Sequence, residues 1–481
     1  MILLVLFLSL TPLLLPSYTN PPLRYKALRW QTEQTSLPGR ANVNNEKVFI
    51  AASIYDGDGQ LAGGSWGRRV EQLVDILGPE NVHLSIYEDN ANPLAVDALH
   101  MLADRIQCGF GQLPFTLQQT CLHRAGNKSI VAEPLDLKAL PHVTLEDGEA
   151  RVTRIGFLAE VRNRALRPLE TAETKFDKLL YLNDVIFDPV DAANLLFSTN
   201  VDENGRTQYR AACALDFMDT AFKFYDTYAT RDLEGNGMGV IIYPWFSSAG
   251  EAQSRQDVFD QKDAVRVRSC WGGMVAFEAK WFQSRSSNPG ETPALSSNDT
   301  TAMTSSPLRF RAQDELYWDA SECCLIQADL QALEPPQNPN ATDIYMNPYV
   351  RVAYTETTFR FIPLARRFER LLGPIQKQLN YMVRKPDYNA RRLDAAGTNV
   401  TDRVWVMQGD QSERDVRTPG AYQSVDRIAA PGGFCGGRKL AVIANAEDKV
   451  EGDKRWWAGR VPYDEGVATP AAAAGVGGGA R

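Results

Sequence analysis

Residues 47–55 read KVFIAASIY, a β-branched apolar run without helical spacing. Residues 66–77 (WGRRVEQLVDIL) set apolar side chains at helical intervals until Gly78-Pro79 ends the pattern. A second strand over 82–87 (VHLSIY) and a helix over 95–105 repeat the unit. Runs over 154–161 and 178–186 read as further strands of the same series. Strand and helix in alternation predict an α/β fold with a mostly parallel central sheet. Between 283 and 307 the chain turns rich in Ser, Thr and Pro, the composition of a surface insertion, and 466–481 (GVATPAAAAGVGGGAR) reads as an unstructured tail.

The first 18 residues are apolar and uncharged but broken by Pro12 and Pro16. They read as a signal peptide or signal anchor, with entry into the secretory pathway as the consequence. Residues 19–45 then read as a stem or linker, 46–365 as the catalytic domain, 366–445 as a C-terminal extension packing on it, and 446–481 as a flexible tail.

Composition narrows the chemistry. The formal charge of −8 gives no general attraction to phosphate backbones, which argues against nucleic acid as the main partner. There are four histidines, and the last is His142. Any site built from later residues must therefore work with carboxylates, amides, hydroxyls, arginine or an oxygen-held metal, which disfavours Ser-His-Asp hydrolysis and His-rich zinc sites. The seven cysteines form no C-x-x-C pair. In an oxidising lumen Cys108 and Cys121 are spaced to close a short loop.

Ligands of open α/β sheets gather outside the carboxyl ends of the strands. That rule selects Glu88-Asp89, Arg162-Asn163-Arg164 and Asn183-Asp184. In KLLYLNDVIF (178–187) a buried strand delivers Asn183 and Asp184 to its tip, a placement suited to Mg²⁺ or Mn²⁺ bridging a pyrophosphate and equally to an Asx turn. Arg162 and Arg164 offer guanidinium groups to phosphates or to neighbouring acids. Glu88 and Asp89 are placed to bind a ribose or a base edge. Asp56-Gly57-Asp58 reads as a turn. Trp271 with Gly272 and Gly273 reads as a sugar-stacking face beside a close backbone approach, or as core, and Glu322 is among the carboxylates nearest that region in sequence.

Taken together, VHLSIYED (82–89), RNRAL (162–166), YLNDVIF (181–187), ALDF (214–217), FYDTYATRD (224–232), SCWGGMVAF (269–277), SECCLIQADL (321–330), IYMNPYVRVAY (344–354) and GGFCGG (432–437) resemble the fungal capsule-associated α-1,3-mannosyltransferases, glycosyltransferase family 69. The resemblance spans roughly residues 46 to 440. It implies a GT-A-like, Rossmann-type nucleotide-sugar-binding fold in a Golgi-lumenal enzyme, membrane-bound only through an N-terminal anchor. It further implies a GDP-mannose donor, a mannoside or polysaccharide acceptor, retention of configuration and Mn²⁺ (or Mg²⁺) as cofactor. The metal site falls on Asn183-Asp184, and Glu322 is the candidate nucleophile. The competing readings are a non-catalytic secretory factor for polysaccharide binding or export, and a related transferase using another sugar nucleotide.

Overall fold

The computed structural model describes residues 7, 9–11, 14–89, 92–108, 128–284, 307–333, 342–386, 392–407, 420–445, 447–448 and 455–464. The expected Cys108–Cys121 loop, nearly all of the Ser/Thr/Pro-rich insertion and residues 466–481 lie outside them. The expected flexible tail from 446 is corrected in part: Trp456–Ala458 pairs with Ala441–Ile443 as a strand, and Asp464 is buried on Arg403.

The chain divides into two units, the larger formed by residues 1–135, 161–309 and 327–386. Its centre is a nine-stranded sheet: β1 (Val48–Ile54), β2 (Val82–Glu88), β3 (Lys128–Ala132), β4 (Lys178–Leu182), β5 (Ala211–Phe217), β6 (Arg231–Asp232), β7 (Val265–Ser269), β8 (Met274–Glu278) and β9 (Ile344–Ala353). The spatial order is β3-β2-β1-β4-β8-β5-β9-β7-β6. The pairings of β3, β2, β1 and β4 are parallel, as is that of β5 with β9. Strands β8 and β7 run against the rest, so the sheet is mixed but mostly parallel in direction.

Strands β1, β4 and β5 are almost wholly buried, which is why they read as continuous apolar runs rather than alternating ones. Helices α1 (Leu23–Gln34), α2 (Ser65–Leu77), α3 (Pro93–Cys108), α4 (Arg154–Glu170) and α5 (Pro189–Phe197) follow in chain order. In α2, Trp66, Val70, Leu73, Val74 and Leu77 are buried, the face that the sequence spacing predicted.

Three further expectations are corrected. The run over 154–161 is helical and begins α4, with Ile155, Ala159, Arg162, Leu166 and Leu169 buried at intervals of four and three residues. Its apolar richness looked strand-like, but the period belongs to a helix. The supposed stem of 19–45 is folded into the larger unit. Within it, Tyr25 accepts a bond from Asn347 (2.7 Å) and donates to Asp263, while Arg29 pairs with Asp188 and Asp191. Just ahead of it, Ser17 and Tyr18 are fully buried. Third, residues 366–445 do not form one extension: 327–386 belong to the larger unit, and the chain from 387 belongs to the smaller one.

The smaller unit comprises 136–160, 310–326 and 387–481. It contains the hairpin Asn399–Met407 with Gly420–Ile428 and a core of Val143, Leu145, Tyr317, Leu440 and Val442, and it is stapled by a Cys324–Cys435 disulfide. Helix α6 (Glu322–Leu333) opens among its residues.

Candidate active site

The parallel pairings put the carboxyl ends of β2, β1, β4, β5 and β9 along one edge of the sheet. Antiparallel β8 begins at that same edge, so residues 271–273, just before it, meet the end of β4. Asn183 is fixed there from three directions. Its N–H donates to the Gly273 carbonyl (2.9 Å), and its own carbonyl accepts from the Trp66 indole (2.9 Å). Its side-chain oxygen accepts from both the Arg162 guanidinium and the Trp271 indole, each at 3.2 Å.

Asn183 is therefore corrected from metal ligand to positioning residue. An amide oxygen with both lone pairs facing donors has none left for a cation. Asp184 differs. It is exposed and makes no ion pair with a described residue. Nevertheless its pKa is raised, chiefly by desolvation, with its own backbone N–H and the Arg162 charge pulling the other way.

Arg162 is buried between aromatic rings, its guanidinium 4.5 Å from the centre of Trp271 and 5.3 Å from that of Tyr181. It comes from α4 rather than from a strand end. The stacking holds a desolvated cation next to Asp184. Arg164 points elsewhere, pairing with Glu133 (3.1 Å) beside the Tyr87 ring, and Asn163 is half-buried between the two arginines.

The remaining ligand candidates are corrected by burial. Glu88 is 0% exposed and accepts from the Asp56 N–H (2.6 Å); its second oxygen is buried without a partner. Asp89 is also buried and accepts from the Leu135 N–H (2.7 Å). Neither presents a face to a nucleotide. Asp56, read as a turn residue, receives the N–H groups of Leu61 and Ala62 and so closes a turn. Trp271 is buried with Arg162 over its ring, which leaves it no open face for a sugar. Gly272 (φ +57°) is required because a Cβ would lie 1.9 Å from the Ala214 carbonyl, so its smallness serves strand packing rather than a ligand. At Gly273 a Cβ would meet Val185 at 2.7 Å. Glu322, the expected nucleophile, opens α6 in the smaller unit and is buried, with the Cys323 thiol donating to it at 3.4 Å. With no open surface it has no face for a sugar, and that role is withdrawn.

The sequence reading missed a second tier. Asp226 accepts from the N–H groups of Trp271 (2.9 Å) and Gly272 (3.3 Å), from the Thr230 hydroxyl (2.7 Å) and from the Ala229 N–H (2.9 Å). Asp216, at the end of β5, accepts from the Asp226 N–H (3.0 Å) and meets the Tyr354 hydroxyl at 3.1 Å. Burial, reinforced by the Asp226 charge, pushes Asp216 up to about 8, so it is largely protonated at neutral pH. Tyr354 in turn lies within the field of both Asp216 and Asp184. A lone acid inside the apolar run AACALDF was the available signal, since a carboxyl there needs partners. The Cys213–Cys270 disulfide ties β5 to the residue before Trp271, and Gln327 holds the backbone N–H and carbonyl of Cys270.

As for a divalent cation, Asp184 offers one open oxygen-donor carboxylate. That fits the mode in which Mn²⁺ or Mg²⁺ takes one or two protein carboxylates and completes its shell with substrate phosphate and water. Among the described residues no group of three or more His, Cys, Asp or Glu side chains is arranged to hold a metal by itself.

A family model described as Cryptococcal mannosyltransferase 1 matches residues 47–329, more than half of the chain and all of the rim from β1 to β8. No curated protein matches. Among solved structures, the mannosyltransferase PcManGT from Pyrobaculum calidifontis in complex with GDP-Man and Mn²⁺ is similar at 10% identity and a TM-score of 0.33, covering 79% of this chain and 84% of that one. Glucosyl-3-phosphoglycerate synthase from Mycobacterium tuberculosis follows at 9% identity and 0.29, covering 83% and 91%. Mannosyl-3-phosphoglycerate synthase from Rubrobacter xylanophilus stands at 11% and 0.29, covering 86% and 93%. Likenesses at these scores carry no argument about the site.

Proposed function

The chain belongs to the cryptococcal mannosyltransferase 1 family, and we propose that it transfers mannose from GDP-mannose to an α-mannoside, with retention, on the sheet edge around Asp184. The observation that carries this reading is the contrast within Asn183-Asp184. The amide is spent on fixing Arg162 and Trp271, and the carboxylate is left open beside a desolvated cation.

In this reading Asp184 would hold a divalent cation, and the chemistry such an ion would supply there is charge stabilisation of the diphosphate leaving group. Arg162 adds a fixed positive charge toward the same diphosphate, and its stacking on Trp271 and Tyr181 keeps it from reorganising. The acceptor hydroxyl oxygen bonds to the anomeric carbon while the carbon–phosphate oxygen bond breaks, its electron pair leaving with GDP. The hydroxyl proton goes to the departing phosphate. Asp216 and Asp226 are committed to hydrogen bonds, which favours this same-face attack over a carboxylate nucleophile. The Cys213–Cys270 and Cys324–Cys435 disulfides support a secretory compartment such as the Golgi lumen.

The test is transfer of labelled mannose from GDP-mannose to an α-mannoside by the purified chain, with a panel of other sugar nucleotides alongside and with chelator and Mn²⁺ as the two metal conditions. Metal-dependent transfer from GDP-mannose alone supports the proposal. Transfer from another donor moves the protein to a different sugar. No calorimetric heat with GDP plus Mn²⁺ favours a non-catalytic glycan-binding factor.

A further inference from the structure

The apolar and charged residues of 356–385 are sorted in a way that the transferase reading does not use. Helix α7 (Glu356–Arg366) buries Thr358, Ile362 and Ala365, and helix α8 (Leu372–Met382) buries Gly373, Gln376 and Asn380. Their other faces carry large apolar side chains in the open. Phe361 is 55% exposed, Tyr381 81% and Met382 67%, with Leu364, Ile375 and Val383 at about half. Isolated exposed apolar residues need no explanation, but six on one helix pair do.

These residues are interleaved with cations. Residues 356–385 hold seven Lys or Arg and two acids, a local charge of +5 in a chain of −8. Both acids are engaged, Glu356 by Arg69 and Ser65 and Glu369 by Arg351 and Ser17. Arg360, Arg367, Lys377, Arg384 and Lys385 are exposed.

Ser17 and Tyr18, at the end of the N-terminal apolar run, are held at the same place. Ser17 donates to Glu369, and Arg366 donates to the Tyr18 carbonyl (3.3 Å), which puts the chain before Ser17 beside the α7–α8 junction. Ahead of Ser17 in the chain, Phe7, Leu10, Leu14 and Leu15 are exposed as well.

We propose that the outer faces of α7 and α8, continued by the exposed apolar residues before Ser17, form a surface that lies on a lipid bilayer carrying anionic head groups. Apolar and aromatic side chains flanked by Lys and Arg are the composition of an interfacial helix. The charge complements an anionic surface and opposes a second copy of the same face. The proposal puts membrane contact on the folded unit itself, and it stands independently of the transferase reading.

The full chain is tested by flotation with phosphatidylcholine vesicles, with and without phosphatidylserine. The Arg360→Glu/Lys377→Glu/Arg384→Glu/Lys385→Glu variant loses about 10²–10³-fold in partitioning to the anionic vesicles, because four basic contacts with such a surface are removed. Added salt does the same to the unmodified chain. The Phe361→Ser/Ile375→Ser/Met382→Ser variant weakens binding to both vesicle types. The altered side chains are exposed, and matching melting curves confirm that the variants fold. To separate the helix faces from the exposed apolar residues before Ser17, the charge series is repeated on a Leu14→Asp/Leu15→Asp background. Anionic-lipid binding that persists on that background and vanishes with the four charges supports the surface. Partitioning that the charge variant leaves unchanged overturns it, as does an apolar variant that abolishes self-association while vesicle binding persists.

Discussion

Two strand ends of the central sheet, on either side of β1, look alike in sequence and have opposite fates. β2 ends in Tyr87-Glu88-Asp89 and β4 in Leu182-Asn183-Asp184, each an apolar run delivering polar residues to the same edge. At β2 the segments that follow β1 and β3 close over the acids. Glu88 accepts the Asp56 N–H, Asp89 accepts the Leu135 N–H, and both are buried. At β4 the surrounding donors are taken up by Asn183, and Asp184 stays open. What makes an acid available is thus its neighbours' hydrogen bonding. Asn183 spares Asp184 by answering Arg162 and Trp271 itself.

The strongest way to break that comparison is Asp184→Asn. Transfer is expected to fall roughly 10²–10³-fold, the scale for removing one electrostatic element of a transition-state site. The melting temperature is expected to stay unchanged, since the side chain has no ion pair among the described residues to lose. Parallel loss of activity and stability would show that Asp184 is as structural as Glu88. Asp226→Ala comes next, acting on the scaffold. It leaves the N–H groups of Trp271, Gly272 and Ala229 and the Thr230 hydroxyl without their acceptor. Unsatisfied buried donors of this kind cost about 2–4 kcal/mol together, readable by chemical denaturation. Arg162→Lys is milder. It keeps the charge but loses the planar stack on Trp271 and the geometry toward Asn183, and a fall of about tenfold in kcat with little change in stability is expected.

How far the sequence reached follows from the same physics. β1, β2, β4 and α2 were legible because their burial is set by local periodicity, and so was the place of Asp184 just beyond the end of a buried strand. The run over 154–161 was misread since its apolar content suits either element and only the four-and-three spacing of its buried positions reveals a helix. The burial of Glu88 and Asp89 depends on Asp56 and Leu135, 32 and 46 residues away in sequence. The stem expectation failed for a similar reason. A polar composition does not disclose that Tyr25 finds Asn347 and that Arg29 finds Asp188, contacts made across much of the chain. Asp226 was quoted within FYDTYATRD without a role, because its partners Trp271 and Gly272 lie 45 and 46 residues further on.

Glu88→Gln carries the smallest effect and sharpens the comparison from the other strand end. Desolvation first, then the Asp56 and Asp89 charges, push Glu88 up to about 7, against a pull in the other direction from the Asp56 N–H. With its folded pKa raised, the native state keeps a proton that the unfolded chain releases above about 4.5. The stability this group contributes is therefore fully present below pH 4.5 and is lost as pH rises through 7. Glutamine reproduces the protonated shape, with its oxygen still accepting the Asp56 N–H, but its amide N–H₂ inherits the pocket where the second carboxylate oxygen has no partner. Those terms oppose each other. The variant is expected to gain about 1 kcal/mol at pH 8 and nothing, or a small loss, at pH 4.5, measured as denaturation midpoints across that range. Transfer activity at neutral pH is expected to remain within about twofold, because Glu88 has no exposed surface from which to reach a donor. A large drop in activity with unchanged stability would place Glu88 beside Asp184 in the working site and erase the difference between the two strand ends.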